Sequence, residues 1–217
     1  MTPTASSTSA RLLLSSVAIA AALSSLSACA PLLIGGAMLG GTMMAIDRRT
    51  SGTQVEDQAI ELKALGRVKD VVGDRGHVTT VSYSRLVLIT GEVPTDADKA
   101  AVEQAVARIE GVRSTVNELA VAGSASLTSR SNDTLLTSKV KASFVDARDM
   151  LSNAFKVVTE RGTVYLMGRV TEREATRATN LARSVSGVQK VVRVFEIVSE
   201  AELAEITPRP GKEAPAK

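Results

Sequence analysis

The chain repeats itself once, and this internal repeat constrains its fold more than any other feature. An apolar, β-branched segment at residues 87–93 has a counterpart at residues 164–170, about 77 residues later. Each segment is followed by a stretch with apolar residues at helical spacing, and then by a Gly-Val pair that begins at Gly111 or Gly187. The period exceeds the roughly 20 to 50 residues of solenoid repeats. The sequence therefore predicts two tandem copies of one small domain.

Local signals predict the order of elements within each copy. Thr171 and Glu174 have the spacing of a capping box, which marks the N-terminus of a helix, and Thr95 with Asp98 is a weaker version. Runs of β-branched residues on either side of these helices predict strands. Hairpin turns are predicted at Ser84-Arg85 and Arg161-Gly162. The order α-β-β-α-β predicts an α+β fold, in which a small mixed three-stranded sheet is covered on one face by two helices.

Cys29 is the only cysteine, and it follows an N-terminal apolar segment. Residues 12–23 form a short apolar run behind one basic residue, Arg11, which is the arrangement of a secretory signal. The run is shorter than the about 20 apolar residues that span a bilayer. Residues 26–29 (Leu-Ser-Ala-Cys) resemble the lipobox of bacterial lipoproteins, which implies that Cys29 is acylated and becomes the first residue of the mature protein. The alternative is an ordinary signal peptide cut close to Ala28.

The second copy carries the more specific signature. Its central strand and helix start lie at residues 164–175, and its Gly-Val pair lies within residues 185–188. This pattern resembles the BON domain, and the more divergent first copy keeps Gly91 and Gly111. With the lipobox and residues 47–57, the whole resembles the dual-BON outer-membrane lipoproteins. The resemblance implies a periplasm-facing protein that supports outer-membrane integrity and binds anionic phospholipid through its second BON domain.

These features divide the chain into six segments. They are a signal peptide (1–28), the acylated cysteine with a Gly-rich tether (29–54), BON domain 1 (55–122), a linker (123–131), BON domain 2 (132–199) and a largely disordered tail (200–217). Residues 30–46 are apolar, and we expect them to stay near the lipid surface. A membrane span is the alternative, and the spacing of Gly36 and Gly40 also allows close packing of two helices.

The two copies differ in charge. Residues 55–121 contain 8 basic and 11 acidic residues, whereas residues 132–198 contain 11 basic and 7 acidic residues. A basic domain on a tethered protein is attracted to anionic lipid. The formal net charge of the whole chain is only +3, whereas nucleic-acid binding usually goes with a strong basic excess. We therefore expect an anionic membrane surface, and not nucleic acid, as the partner.

No motif in the sequence indicates catalysis. One histidine and one cysteine make a protein-only zinc or iron–sulfur site improbable, so we expect neither a metal nor another cofactor. His77 lies near Asp74, but a surface-loop histidine beside Gly73 and Gly76 explains this better than a catalytic group does. We predict that the chain is not an enzyme.

The first helix of the second copy is the predicted binding surface, with Asn132 or Asp133 as its N-cap. The side chains expected to pack on the sheet are Leu136, Val140, Ser143 and Phe144. The side chains predicted to bind lipid, on the opposite face and its margins, are Leu135, Ser138, Lys139, Lys141, Ala142 and Val145. Apolar groups there would enter the headgroup region while the lysines meet phosphate. The alternative is an ordinary solvated helix face.

A different class of function is also open at this point. The acidic first domain, or the face between the domains, can be the docking surface of a scaffold for an outer-membrane assembly protein. Such a scaffold would be non-enzymatic as well.

Overall fold

The computed structural model describes residues 47–206, which form two domains with the same order of elements. The first domain consists of α1 (Ser51–Val72), β1 (His77–Tyr83), β2 (Leu86–Val93), α2 (Asp96–Ala107), β3 (Ser114–Asn117) and β4 (Ala120–Val121). The second consists of α3 (Leu127–Asp146), a 3₁₀ turn (Ser152–Ala154), β5 (Lys156–Glu160), β6 (Thr163–Val170), α4 (Glu172–Ser184) and β7 (Lys190–Ile197). A helix, α5 (Glu200–Ile206), follows the second domain. The predicted α+β fold and its element order are confirmed.

Each domain has a mixed sheet with its second strand in the centre. β2 pairs antiparallel with β1 and parallel with β3, and β6 pairs antiparallel with β5 and parallel with β7. Each parallel pair is connected through a helix, as a crossover requires. The first sheet has one addition, because Leu119 packs into the core and splits the predicted last strand. The short β4 that follows pairs with the end of β2.

The β1–β2 hairpin is held by Asp57 of α1. Ser84 and Arg85 have φ values of 50° and 67°, as a tight hairpin turn requires, so the predicted turn is confirmed. Asp57 accepts hydrogen bonds from the two turn amides at 2.9 and 2.8 Å and from the Ser82 hydroxyl at 2.6 Å. Burial alone would raise the pKa of Asp57, but these hydrogen bonds and one from Arg49 outweigh it and hold the pKa below its usual value.

The β5–β6 hairpin is held in the same way by Asp133 of α3. The amides of Arg161 and Gly162 each donate to its carboxylate at 2.9 Å, and both turn residues have positive φ values. Asp133 is buried, so the prediction that it or Asn132 caps the helix is wrong. Its offset of 76 residues from Asp57 was the sequence signal for this shared role.

Both first helices begin earlier than predicted. α1 begins after the N-cap Thr50, and α3 begins after the N-cap Ser126. Each cap hydroxyl accepts a hydrogen bond from the amide three residues on, which is the geometry that makes Ser and Thr good N-caps. Residues 51–54, predicted as tether, and residues 127–131, predicted as linker, are therefore helical. Residues 200–206 of the predicted tail are helical as well.

The second helices begin where predicted and end slightly before their expected glycines. Thr171 and Glu174 form a complete capping box, and the Thr95 hydroxyl accepts from the amide three residues on. α2 and α4 end before Gly111 and Gly187, whose φ values are 92° and 104°. These glycines therefore serve the turns that lead into β3 and β7, where a left-handed residue is needed.

The glycine of each central strand makes room for neighbouring backbone. A Cβ atom on Gly91 would collide with the carbonyl oxygen of His77, and the φ of Gly91 is +115°, a value that favours glycine. A Cβ atom on Gly168 would lie 2.5 Å from the carbonyl oxygen of Ala154. The close approach of backbone thus explains why both copies place glycine in this strand.

The helices of each domain bury one face of its sheet. The first core includes Ile60, Ala64, Val87, Ile89, Val93, Val102 and Val106. The second includes Val140, Phe144, Phe155, Val164, Leu166, Ala178 and Ala182. Alternate residues of β2 and β6 point into these two cores, as the strand period of two requires. The predicted covering of one sheet face by two helices is confirmed.

The other face of each sheet packs against the other domain. A third apolar cluster contains Tyr83 and Leu88 from the first sheet and Tyr165, Met167 and Val194 from the second. β2 and β6 are therefore buried on both faces, which their near-continuous apolar sequences are typical of. This interdomain layer was not predicted from the sequence.

The segment before α1 also joins the two domains. Arg48 has only 1% of its side chain exposed and donates to both carboxylate oxygens of Glu174 at 2.6 and 2.8 Å. It also donates to the carbonyl oxygen of Arg169 at 2.9 Å. The neighbouring Arg49 contacts Asp57 of the first domain at 2.8 Å, and its guanidinium lies 4.4 Å from the centre of the Tyr83 ring. Two adjacent arginines thus contact different domains.

Several predicted features lie outside the described residues: the signal peptide (1–28), Cys29 with the tether residues up to 46, and residues 207–217. Within residues 47–206, none of the helices combines the length and the apolar character needed to cross a bilayer.

Candidate membrane-binding surface

All six residues predicted to bind lipid are exposed on α3. Leu135 and Val145 keep 61% and 68% of their surface in contact with solvent, although both are large apolar side chains. On the inner side, Leu136, Val140 and Phe144 are buried. The helix thus presents an apolar ridge to solvent that its own domain does not cover.

The lysines of this surface have no acidic partner within residues 47–206. Neither Lys139 nor Lys141 takes part in an ion pair there. The one acidic residue between positions 127 and 145 is Asp133, which is buried and bonded to the hairpin. The positive charge beside the ridge is therefore not neutralised locally, and it is available to an anion.

A groove of about 570 Å³ lies beside the ridge, between α3, the β5–β6 turn and the loop before β7. Leu135 and Lys139 line it, together with Arg161 and Gln189, which the sequence analysis did not select. A groove of this size lies within the range of small-molecule sites. Two basic side chains, Lys139 and Arg161, thus line the same groove. The predicted turn at Arg161 was the signal that could have added this residue to the surface.

The other end of α3 borders a smaller cavity of about 260 Å³. Lys141 and Val145 line it together with the aromatic edge formed by Phe144 and Phe155. Ser138 and Ala142 line neither cavity, and the Ser138 hydroxyl already donates to the carbonyl oxygen of Thr134 at 3.0 Å. We therefore regard Leu135, Lys139, Lys141 and Val145 as the main members of the surface.

The equivalent helix of the first domain also exposes apolar residues. Val55, Leu62 and Leu65 on α1 are 66%, 73% and 64% exposed. Its charges are mixed, however: Lys63 lies 3.6 Å from Glu110, and Glu56 pairs with Arg85 at 3.4 Å. The two helices thus share apolar exposure and differ in the acidic partners available to their basic residues.

His77 does not lie in a surface loop, so that prediction is wrong. It is the first residue of β1 and is partly buried. Burial and the positive charge of Arg130 lower the pKa of His77, so its imidazole is neutral at pH 7. Its carboxylate neighbours are Glu92 and, from the second domain, Glu160.

Comparison with known proteins assigns the family. Residues 56–123 and 132–199 each match the BON domain. The chain belongs to the BON-domain family. The predicted pair of tandem BON domains is confirmed, and α1 and α3 are the first helices of BON domain 1 and BON domain 2. The BON family is a non-enzymatic one, whereas the absence of any activity in this chain stays a prediction.

Two relatives resemble the chain over most of its length. The outer membrane lipoprotein DolP of Haemophilus influenzae is 38% identical over 174 residues, which cover 79% of this chain and 89% of that protein. A 21 kDa hemolysin of Actinobacillus pleuropneumoniae is 30% identical over 155 residues, which cover 70% and 80%. The chain is thus a DolP-like protein with two BON domains, and this homology supports the predicted outer-membrane localisation.

The solved structures add no argument about function. CdsD, a structural protein of the type III secretion system of Chlamydia trachomatis, aligns with 65% of this chain and 96% of its own length. Its sequence identity is 10% and its TM-score is 0.28, which is too low to support an inference.

Proposed function

We propose that this protein binds anionic phospholipid through α3 of BON domain 2 and thereby supports outer-membrane integrity. The observation that carries the proposal is an exposed apolar ridge beside lysines that have no acidic partner in the described part of the chain. Leu135 and Val145 enter the headgroup region, where apolar burial is favourable. Lys139 and Lys141 then contact lipid phosphates, each contributing about 1 kcal/mol near an anionic surface.

The groove beside α3 allows this surface to bind a specific phosphodiester headgroup and not only to attract any negative charge. Lys139 and Arg161 line it with Asn132 and Gln189, so a phosphodiester there meets cations and amide donors together. Charge-assisted hydrogen bonds of this kind are shorter and stronger than neutral ones. We infer that the ridge inserts while the groove holds one headgroup.

Acylation of Cys29 remains a prediction. If Cys29 is acylated, the affinity of α3 for lipid is not needed to hold the protein on the membrane. Each buried acyl CH₂ contributes about 0.8 kcal/mol, so a multiply acylated cysteine anchors a protein without further contacts. At the resulting high local concentration, weak binding by α3 suffices to select anionic regions of the same membrane.

Vesicle binding by charge-reversal variants tests the proposal. The double variant Lys139→Glu and Lys141→Glu, in a full chain carrying Cys29→Ser to prevent acylation, is mixed with phosphatidylglycerol vesicles and sedimented. We expect a loss of at least roughly 30-fold in binding, the equivalent of about 2 kcal/mol for two lysines. The matched control is Lys63→Glu with Lys69→Glu on α1, which should bind as the parent chain does. Equal loss in both double variants would refute the assignment to α3.

A scaffold function is the second candidate, and the exposed apolar residues of α1 favour it. Val55 and Leu62 are seven residues apart and so lie on one helix face, and the charges around them are mixed, as at a protein interface rim. Crosslinking from Leu62 replaced by a photoreactive residue, in cells, tests it. A single protein adduct that persists in the Lys139→Glu, Lys141→Glu variant supports docking through BON domain 1, whereas lipid adducts alone count against it.

A further inference from the structure

Three potential metal ligands from both domains meet at one end of the interdomain layer. His77 and Glu92 are paired residues of β1 and β2, and Glu160 is the last residue of β5 in the second domain. One ligand atom of each lies within 4.8 Å of the other two. A tetrahedral zinc site, with ligand bonds of about 2.0–2.2 Å, holds its ligand atoms about 3.4 Å apart. Small side-chain rotations therefore bring all three within coordination distance of one ion.

The buried carboxylate of Glu92 is the feature that points to a bound metal ion. It is 0% exposed, and its Oε1 atom has no hydrogen-bond partner within residues 47–206. The nearest cation is the Nη1 atom of Arg161, at 3.6 Å from Oε1. The other oxygen, Oε2, accepts from the amide of Ala125 at 3.2 Å. A buried carboxylate is costly unless it is paired or coordinates a metal, and within the described residues the one ion pair of Glu92 is this long contact to Arg161, whose side chain is 48% exposed.

The other two groups lie beside Glu92, and one of them also has a buried atom without a hydrogen bond in the described residues. The Nδ1 atom of His77 is buried and, within the described part of the chain, has no hydrogen-bond partner. The Glu160 carboxylate lies close to the carboxylates of Glu92 and Asp133.

A path from solvent leads to the cluster. A cavity of about 350 Å³ is lined by His77, Glu160, Arg130 and Thr137, among others. An ion in this cavity can therefore reach His77 and Glu160, whereas Glu92 does not line the cavity itself.

We propose that His77, Glu92 and Glu160 form a site for a divalent transition-metal ion of the Zn²⁺ class that bridges the two BON domains. One imidazole and two carboxylates are ligands that zinc accepts. The prediction of no metal rested on a single histidine and a single cysteine, but carboxylates from two domains supply the remaining ligands. The ion would join the domains at the end of β1 where His77 lies. Arg49 lies at the other end of this strand, over the Tyr83 ring.

Zn²⁺ titration of the full chain tests this proposal. Every variant carries Cys29→Ser, so the single thiol cannot bind the metal. We expect one Zn²⁺ per chain by isothermal titration calorimetry and a rise of several degrees in Tm at saturating Zn²⁺, because a ligand of the folded state stabilises it. His77→Ala and Glu160→Gln should each weaken Zn²⁺ binding by more than about 100-fold. Losing a residue that only hydrogen-bonds to a metal ligand already costs roughly 10- to 100-fold, and losing a ligand itself should cost more.

Two further variants make the result decisive. Glu196→Gln removes a carboxylate that pairs with Arg113 of the other domain at 3.3 Å but lies outside the cluster, and it should bind Zn²⁺ as the parent chain does. Arg161→Gln removes the cation that competes for Glu92, and it should bind more tightly. Circular dichroism establishes that each variant is folded. Absence of saturable Zn²⁺ binding, or equal affinity in the His77, Glu160 and Glu196 variants, would overturn the proposal.

Discussion

BON domain 1 and BON domain 2 share their internal architecture and differ at the outer surface of their first helix. In both, an aspartate of that helix holds a hairpin, and a glycine of the central strand admits neighbouring backbone. On α1 Lys63 lies 3.6 Å from Glu110 and Glu56 pairs with Arg85 of the hairpin turn, whereas Lys139 and Lys141 on α3 have no acidic partner in the described residues. Both copies therefore keep the residues that the fold requires. The outer surface of the first helix differs between them, and we expect their functions to differ there.

The largest effect should come from replacing the strand glycines. Gly91→Ala combines a left-handed φ with a collision against the His77 carbonyl oxygen, and we expect a loss of about 4 kcal/mol from strain and overpacking together. Gly168→Ala meets only the steric contact with Ala154, and about 2 kcal/mol is expected. Urea unfolding of both variants measures the difference. Equal losses would mean that the positive φ of Gly91 adds no strain beyond the steric contact that both glycines avoid.

The hairpin aspartates should give the next largest effect. Asp57→Asn loses the ion pair with Arg49 and leaves the turn amides poorly matched, so we expect a loss of about 3 kcal/mol in the free energy of unfolding at pH 7. Asp133→Asn affects two turn amides and should cost about 2 kcal/mol. A larger loss at Asp133 than at Asp57 would show that the Arg49 contact adds no stability.

The same aspartate predicts a pH dependence. Because the folded pKa of Asp57 lies below its unfolded value of about 3.9, its contribution to stability is present above the unfolded pKa. That contribution is lost as the pH falls through the folded pKa. The difference in stability between the parent chain and Asp57→Asn should therefore shrink between about pH 5 and pH 2. Thermal unfolding of both proteins at four pH values checks this, and a constant difference would contradict it.

Much of each domain could be predicted from the sequence because its signals are local. The helix cap at Thr171 and the hairpin turn at Ser84 are set by residues a few positions apart, and the repeat provides each signal twice. The burial of Leu136 and Val140 followed from helical spacing alone. The helix starts were misplaced because Asp133, a good N-cap by composition, is instead used inside the helix to hold the hairpin.

The contacts between domains could not be predicted in the same way. Leu88 and Met167 face the other domain, but an apolar residue on a sheet does not indicate which surface covers it. Arg48 bonds to a residue 126 positions away, and no local pattern reveals such a partner. For the candidate surface, the exposed residues of α3 followed from periodicity, whereas Arg161 joins the groove only through the packing of the hairpin against α3.

The account's central claim is that α3, and not α1, contacts anionic lipid, and amide chemical-shift mapping tests it most directly. The full chain carrying Cys29→Ser is titrated with phosphatidylglycerol micelles and, as a control, with phosphatidylcholine micelles. We predict that phosphatidylglycerol shifts the amides of residues 132–145 together with Arg161 and Gln189, while residues 51–72 stay unchanged. Shifts of equal size on α1, or the same shifts with phosphatidylcholine, would contradict the account.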